Sequence, residues 1–191
     1  IHQLSNLKQG AGTTNRCISE LAKLDLISRL RNAKYDGYRL TYNGFDLCAL
    51  KSIHQRGNME ELEHTIGVGK ESDIFSAKTK DGEDRVLKIH RLGRVSFRTV
   101  RNKRDYLRIG KGGTWMYLSK LAAEKEYGFM CALHQAGYDV PIPYDNSRHL
   151  VLMQRINGFP MRQLMEHYDY KKLYSQLMDF VVELGNGGLI H

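Results

Sequence analysis

The sequence has few cysteines and lacks any long hydrophobic run. No stretch approaches the roughly 20 consecutive apolar residues that a membrane-spanning helix needs. Its three cysteines, Cys17, Cys48 and Cys131, lie far apart in the chain. That spacing argues against a disulfide framework or a zinc knuckle and is what a reducing compartment would allow. With 41% hydrophobic and 26% charged residues, the composition is that of a globular protein.

Both ends of the chain are unusual. The sequence begins with Ile1 rather than methionine, and residues 1–4 are typical of the middle of a helix. It stops at His191 immediately after two apolar residues. We therefore expect a piece of a longer protein, with sequence missing on both sides.

Acidic residues are scarce in one part of the chain. Residues 91–111 contain eight basic residues and a single acidic one, Asp105, in a chain whose net charge is +8. A solvated helix face would interleave the two signs. The concentration of positive charge therefore favours contact with a nucleic-acid phosphate backbone. The predicted RNA contacts here are Arg98, Arg101, Lys103 and Arg104. The alternative is a flexible basic loop that contacts nothing.

The first third of the chain predicts a winged helix, which we place at residues 1–57 and expect to be incomplete at its N-terminus. The glycines around Thr13 and Thr14 predict a helix break, with a threonine hydroxyl as the N-cap of the next helix. A strand at 26–30 and its return at 38–40 predict a hairpin, and Thr41 is suited to cap a last helix. A helix, a turn, a second helix and a hairpin are the elements of a winged helix.

Basic residues near this hairpin suit phosphate contact. Arg29 and Arg39 are expected on its strands, and Arg31 and Lys34 extend the predicted RNA-binding set. The alternative is a protein-docking module with a basic surface. A DNA-binding regulator would depend on this domain alone and fits the rest of the chain poorly.

A glycine pair between two predicted strands indicates phosphate binding. The segment from Gly67 follows the pattern G-x-G-x-x-S-x-I. Gly67 and Gly69 would let the backbone approach a phosphate closely, and Lys70 and Ser72 would add donors. The pattern is not a P-loop, and it is not a dinucleotide fingerprint because a strand rather than a helix follows.

The position of Lys88 strengthens this interpretation. Lys88 lies on a strand predicted at residues 85–90, antiparallel to the strand that leaves the glycine segment. A hairpin would place its ammonium group beneath the glycines, where it can hold the α- and β-phosphates of a nucleotide. Such a lysine needs a carboxylate partner if it is not to be an isolated, partly buried charge.

A predicted helix at residues 119–136 can supply that carboxylate. Glu126 falls on an apolar stripe of this helix, where an unpaired carboxylate would be costly. We therefore predict that Glu126 pairs with Lys88, although it could instead lie at the rim and pair with a surface lysine. The stripe was predicted from Leu118, Ala122, Phe129 and Leu133.

The remaining elements complete a kinase-like order. A turn at residues 145–147 is followed by a strand at 149–153, a connector at 154–158 and a helix at 173–184. The predicted fold class is α+β: an N-terminal winged helix, then a protein-kinase-like N-lobe with an antiparallel sheet and one helix, a hinge and the start of a helical C-lobe. We place this second domain at residues 58–191 and expect it to be truncated at its C-terminus.

Four segments in order resemble the RIO atypical protein kinases. They are IGVGKESDIF from Ile66, LKIHRLGR from Leu87, NKRDY from Asn102 and LAAEKEY from Leu121. Within the winged helix, YDGYRLT from Tyr35 resembles the second, winged-helix-containing branch of that family. The resemblance covers essentially the whole chain.

This resemblance implies an ATP-binding serine/threonine kinase or ATPase that uses Mg²⁺ and acts in late cytoplasmic maturation of the small (40S) ribosomal subunit. The implied partners are the precursor of that subunit, its rRNA, ribosomal proteins and other assembly factors, with no membrane. Travel through the nucleus with pre-ribosomal particles is compatible with that role. The alternative function is a non-catalytic RNA-binding scaffold with a kinase-like fold.

The resemblance also implies roles for individual residues. Lys88 and Glu126 would be the catalytic pair, Met153 would line the adenine pocket, and Gln154 and Ile156 would lie on the hinge. The nucleotide-binding set comprises Gly67, Gly69, Lys70, Glu71, Ser72, Lys88, Met153, Gln154 and Ile156.

Two features depart from the family pattern. Relatives usually carry Met-Glu-Leu-Ile where this chain has Met-Gln-Arg-Ile from Met153, and binding should survive because adenine contacts there are largely made by the backbone. His191 matches the histidine that opens the family's catalytic loop. The general base and the metal ligands are therefore expected beyond His191, no residue here is assigned to metal, and this segment alone should be inactive.

Overall fold

The computed structural model describes residues 11–31, 37–94, 113–166 and 169–189. It divides into two compact units, Ile1–Arg155 and Ile156–His191. Among the helices in these ranges, none is long and apolar enough to cross a membrane. Five of the predicted RNA contacts lie outside the described residues: Lys34, Arg98, Arg101, Lys103 and Arg104.

The first unit contains three helices and seven strands among its described residues. In chain order they are α1 (Ala11–Lys23), β1 (Ile27–Leu30), β2 (Gly37–Leu40), α2 (Tyr42–Gln55), β3 (Glu61–Val68), β4 (Ser72–Lys78), β5 (Asp84–His90), α3 (Trp115–Gln135), β6 (Pro143–Ser147) and β7 (Leu150–Gln154). The second unit contains a short 3₁₀ helix (Met161–Gln163) and α4 (Tyr170–Asn186). The predicted α+β class, with a winged helix before a kinase-like sheet, is confirmed.

The hairpin and its capped helix form as predicted. Strands β1 and β2 pair antiparallel, with Ile27 opposite Leu40. The Thr41 hydroxyl caps α2 by accepting the Gly44 amide at 3.1 Å, and it donates to the Asp25 carbonyl at 2.5 Å. A Cβ atom on Gly44 would lie 2.1 Å from the Leu26 carbonyl oxygen, so only glycine lets α2 pack this closely on the chain before β1.

The predicted N-cap of α1 was wrong. Within the described residues α1 spans Ala11–Lys23, so Thr13 and Thr14 lie inside it and neither hydroxyl is its N-cap. A single interior glycine destabilises a helix by only about 1 kcal/mol. Gly12 therefore does not break α1. Thr14 is buried, with only 5% of its surface exposed.

The central sheet has the strand order β3-β4-β5-β7-β6, with every neighbouring pair antiparallel. Successive side chains of a strand point to opposite faces. On β5, Leu87 packs into a cluster with α2, whereas Val86 packs against a cluster that includes Ala123 of α3. The sheet is therefore covered by α2 on one face and by α3 on the other, and Lys88 shares the face of Val86.

Helix α2 joins the winged helix to the sheet. Ala49 and Ile53 are fully buried in the same cluster as Leu87. Just beyond the helix, Arg56 donates two hydrogen bonds to the Asp145 carboxylate, at 2.8 and 2.9 Å. The two predicted domains thus share one core within this unit, and a boundary at residue 57 stays a prediction.

Two further details differ from the predictions. Residues 145–147 belong to β6 rather than to a turn, because Asp145 is held by Arg56 and Ser147 pairs with Leu150 of β7. The turn falls at Arg148, whose φ of 54° is left-handed. On α3, Phe129 is 47% exposed and Met130 is the buried residue, so the predicted stripe was wrong at that position.

Candidate functional site

Lys88 and Glu126 meet on the α3 face of the sheet. The Lys88 Nζ atom donates to Glu126 Oε1 at 2.6 Å, and the two side chains are 24% and 29% exposed. Lys88 lies on β5 with its side chain on the α3 face of the sheet, and Glu126 lies in the middle of α3. The predicted contact is present, and the rim alternative with a surface lysine is not observed. The catalytic role of the pair stays a prediction.

A third side chain, which the sequence reasoning missed, completes this cluster. His90 Nε2 lies 2.7 Å from Glu126 Oε2, and the His90 side chain is 9% exposed. The sequence contained the information needed to place His90 beside Lys88. His90 follows Lys88 by two positions on one strand, so both side chains lie on the same face. Glu126 thus has one basic partner at each carboxylate oxygen.

These partners control the charge of Glu126. Burial alone would raise the pKa of this carboxyl group, but its contacts with His90 and Lys88 more than offset that effect. The net result lowers the pKa of Glu126 from its ordinary 4.5 to about 2. Glu126 is therefore an anion throughout the neutral range and holds the Lys88 ammonium in place without neutralising itself.

We predict that Glu126→Gln removes part of the acid sensitivity of the fold. The folded pKa lies below the ordinary value, so the carboxylate stabilises the protein above pH 4.5 and loses that effect as the pH falls towards 2. The shift corresponds to stabilisation on the order of 3 kcal/mol. Urea unfolding at pH 7, 4.5 and 3 should show the wild-type advantage over Glu126→Gln shrinking only on acidification.

Glu124→Gln is the matched control for this prediction. Glu124 lies on the same helix but pairs at the surface with Lys120, at 3.3 Å. It should show no comparable difference between pH 4.5 and pH 3. A Glu126→Gln variant whose stability follows wild type in parallel across this range would contradict the assigned contacts.

The glycine segment forms the turn between β3 and β4. Gly67 pairs with Ile74, which pairs with Lys88, so the three residues form one row across the sheet. Paired residues in neighbouring strands point to the same face. A Cβ atom on Gly67 would have no neighbour within 4 Å, which leaves open space on the side of the sheet that Lys88 faces. This combination of a cation and an open backbone approach fits a phosphate group.

The other predicted loop residues occupy the turn itself. The Gly69 amide donates to the Ser72 carbonyl at 2.7 Å, and the Glu71 carbonyl accepts from the Arg91 amide at 2.6 Å. Ser72 lies opposite His90 in the β4–β5 register, and the Lys70 side chain is exposed. The structure therefore gathers the predicted phosphate-binding residues around one turn, while their binding roles stay predictions.

An ion-pair network fastens this turn to the winged helix. Arg94 makes a two-pronged contact with Asp73, the second residue of β4, and its Nη1 atom lies 3.4 Å from the Gly69 carbonyl oxygen. Arg91 binds Asp46 of α2 at 2.8 and 2.5 Å, and its Nε atom lies 3.5 Å from Asp73.

The innermost member of this network is His149. Its side chain is fully buried, and its Nε2 atom lies 2.7 Å from Asp46 Oδ1. Burial would raise the pKa of Asp46, but hydrogen bonds and charge from His149 and Arg91 outweigh it and lower that pKa below its ordinary value. An anionic Asp46 thus links α2 to the strand end that supports the glycine turn.

The predicted adenine-side residues fall on both sides of the unit boundary. Met153 is 8% exposed and packs with Ala123 and Met130 on the α3 face. Gln154 is the last residue of β7 rather than part of the connector, and its side chain accepts the Ile142 amide at 3.2 Å. Ile156 begins the second unit with 63% of its surface exposed. Their contacts to adenine stay predictions.

Of the six predicted RNA contacts, Arg31 alone lies within the described ranges. It is exposed and follows directly after β1. In the part of the chain that the structure describes, no group of three or more His, Cys, Asp and Glu side chains could hold a metal ion.

Comparison with known proteins identifies the family. A family model described as the RIO domain matches residues 73–191, which is more than half of the chain. The chain belongs to the RIO family. A second model, described as the N-terminal part of Rio2, matches residues 1–56.

The relatives of this RIO chain are named as kinases. It is 58% identical over 192 residues to the serine/threonine-protein kinase RIO2 of Saccharomyces cerevisiae, covering all of this chain and 45% of that protein. It is 46% identical over 191 residues to rio2 of Schizosaccharomyces pombe, covering all of this chain and 55% of that protein.

A solved RIO structure shares the fold. The Rio2 kinase–ADP/Mg²⁺–phosphoaspartate complex from Chaetomium thermophilum superposes with a TM-score of 0.80 at 48% identity, over 93% of this chain and 52% of that one. The chain thus spans about half the length of the relatives it matches.

Proposed function

We propose that the protein containing this chain is an ATP-binding serine/threonine kinase or ATPase of the Rio2 type, and that the described N-lobe holds the nucleotide phosphates. The Lys88–Glu126 contact at 2.6 Å, in line with the glycine turn, is the observation that carries the proposal. Relatives named serine/threonine-protein kinases and a relative solved with ADP and Mg²⁺ support it.

In this proposal each residue of the site has a separate role in phosphate binding. Lys88 would hold the α- and β-phosphates as a point charge, and Glu126 would keep its ammonium oriented with help from His90. Gly67 and Gly69 would allow backbone amides to approach the phosphates. Bound ATP with Mg²⁺ supplies the phosphoryl group. In this proposal the general base and the metal ligands lie beyond His191.

The proposal is tested by measuring Mg²⁺-dependent formation of ADP by the complete protein. The same measurement is made on the Lys88→Ala variant for comparison. Turnover that depends on Lys88 supports an enzyme. Binding of ribosomal precursors without any turnover would instead support the RNA-binding scaffold, in which the same fold has lost its chemistry.

We further propose that the complete protein acts in the cytoplasm on the precursor of the small ribosomal subunit and contacts its rRNA. The excess of basic residues between positions 91 and 111 supports this partner. The exposed Arg31 beside the hairpin adds a cation on the winged helix. Ribosomal proteins and other assembly factors would be the neighbouring partners.

We predict that binding to small-subunit precursors depends steeply on salt. Each phosphate contact contributes roughly 0.7–0.9 to the slope of log affinity against log salt concentration. Replacing Arg98, Arg101, Lys103 and Arg104 by glutamine should therefore lower the slope by roughly 3, measured by particle co-sedimentation at several salt concentrations.

A charge-matched control separates local contact from the loss of net charge. Four exposed basic residues elsewhere serve this purpose when changed to glutamine: Lys51, Lys80, Arg162 and Lys171. The control should keep most of the parental slope. Equal slopes for the two four-fold variants would show that the basic stretch is not the electrostatic contact.

A further inference from the structure

A cavity lies in the first unit, apart from the cluster of Lys88, Glu126 and His90. It has a volume of about 720 Å³ and opens where the hairpin, α2, α3 and the β6–β7 turn meet. Neither Lys88, Glu126 nor the glycine turn lines it. Its size falls within the range of roughly 300–1,000 Å³ that is typical of small-molecule sites.

Aromatic and apolar side chains form the walls of this cavity. Tyr42 and Phe45 come from α2, Met116 and Tyr117 from α3, and Leu40 from β2. The two tyrosines are 51% and 46% exposed, so each has surface left for contact with a ligand. Flat, partly exposed rings of this kind are suited to stack on a planar ligand.

The charged side chains that line the cavity within the described ranges are all basic. Arg39, Lys120 and Arg148 line it, and no acidic residue is among its lining residues within the described ranges. Lys120 is paired with Glu124 of the same helix at 3.3 Å, so Arg39 and Arg148 contribute most of the positive charge. Arg39 donates to the Ser28 hydroxyl at 3.1 Å rather than to a carboxylate. Arg148 is exposed and makes no ion pair with any residue that the structure describes. The cavity therefore complements an anion.

The starts of two helices reinforce this polarity. Thr41 and Thr114, the N-caps of α2 and α3, both line the cavity. The N-terminal end of a helix carries partial positive charge, which adds to the field of the three cationic side chains. The site therefore combines stacking surfaces with a positive potential, whereas a surface for a neutral ligand would need no such charge.

We infer that this cavity binds a nucleoside phosphate unit. The base lies against Tyr42 and Tyr117, and the phosphate is held by Arg39, Arg148 and Lys120. A phosphorylated peptide side chain would satisfy the cations but leave the rings without a planar partner. The same chemistry is offered by a free nucleotide and by an unpaired nucleotide in an RNA strand. The inference does not depend on the proposed kinase activity.

The test uses the complete protein with one equivalent of a non-hydrolysable ATP analogue, so that the ATP site is filled without an excess of free nucleotide that would compete for the cavity. Fluorescein-labelled hexauridylate, followed by anisotropy, and uridine monophosphate, followed by calorimetry, are the probes. Tyr117→Ala should weaken hexauridylate binding by roughly 5- to 100-fold, the usual cost of one lost base stack. Arg148→Gln should weaken it and lower the salt slope by roughly 0.7.

Tyr174→Ala is the matched control for the aromatic variant. Tyr174 lies on α4, is 66% exposed and does not line the cavity, so its loss should leave both probes unaffected. Since Tyr117 and Arg148 are both exposed, their replacement should not unfold the protein, and circular dichroism verifies this.

The outcomes separate the two sources and the competing ligand. Parallel losses for both probes support a site that accepts a free nucleotide, and losses confined to hexauridylate support an unpaired nucleotide of RNA. Unchanged binding in both variants would overturn the inference. So would a loss in Arg148→Gln alone, which would indicate a bare phosphate contact, or equal competition by a phosphoserine peptide.

Discussion

Lys88→Ala is expected to lower ATP turnover by the complete protein by roughly 10²–10³-fold, the usual cost of removing one preorganised electrostatic contact from a reacting group. The structure indicates that the fold should survive this change. Glu126 keeps its second partner, because His90 Nε2 lies 2.7 Å from the other carboxylate oxygen. Initial rates of ADP formation at saturating Mg²⁺ give the measurement, and circular dichroism reports the fold.

Lys51→Ala is the control for this experiment. Lys51 is exposed on α2, and its loss removes the same charge without replacing any residue of the Lys88 cluster or the glycine turn. Its turnover should equal wild type. If the turnover of Lys88→Ala stays within a factor of two of the Lys51→Ala rate, Lys88 does not hold the phosphates.

Asp46→Ala is expected to destabilise the protein by about 3–5 kcal/mol, the cost of breaking a buried ion pair from one side. Asp46 and Arg91 have side chains only 14% and 18% exposed. His149 is fully buried, and its Nδ1 atom already lacks a partner among the described residues. Losing Asp46 would leave both ring nitrogens of His149 without one. Equilibrium urea unfolding at pH 7 measures the loss.

The prediction has a matched control and a pairwise test. Asp81→Ala removes an exposed carboxylate from the turn between β4 and β5 and should leave stability unchanged within error. Combining Asp46→Ala with Arg91→Ala should cost less than the sum of the single changes, because the two side chains share one contact. Strictly additive losses, or a loss in Asp46→Ala no larger than in Asp81→Ala, would contradict the network.

Local patterns in the sequence predicted the contact between Lys88 and Glu126, which the structure shows at 2.6 Å. The antiparallel hairpin after the glycine segment placed Lys88 beneath the glycines, and helical spacing placed Glu126 on the inner side of α3, so a short-range rule at each end was enough. The role of Thr41 as the N-cap of α2 could also be predicted, because a capping hydroxyl acts within three residues of its own position.

The Asp46 network could not be predicted in this way. His149 and Asp46 are separated by 103 positions, and their contact depends on how α2 packs against the sheet. From the sequence, His149 could be identified only as a surface or packing residue. Tertiary contacts likewise explain the misplaced turn: the Asp-Asn-Ser run at residue 145 favours a turn locally, but Arg56 holds Asp145 within β6.

The most direct test of the central claim compares ATP with adenosine as ligands for wild type and Lys88→Ala by calorimetry. If the Lys88–Glu126 pair beneath the glycine turn holds phosphates, the variant should bind ATP at least tenfold more weakly, about 1.4 kcal/mol, while its affinity for adenosine stays the same. Equal weakening of both ligands, or an unchanged affinity for ATP, would contradict the account.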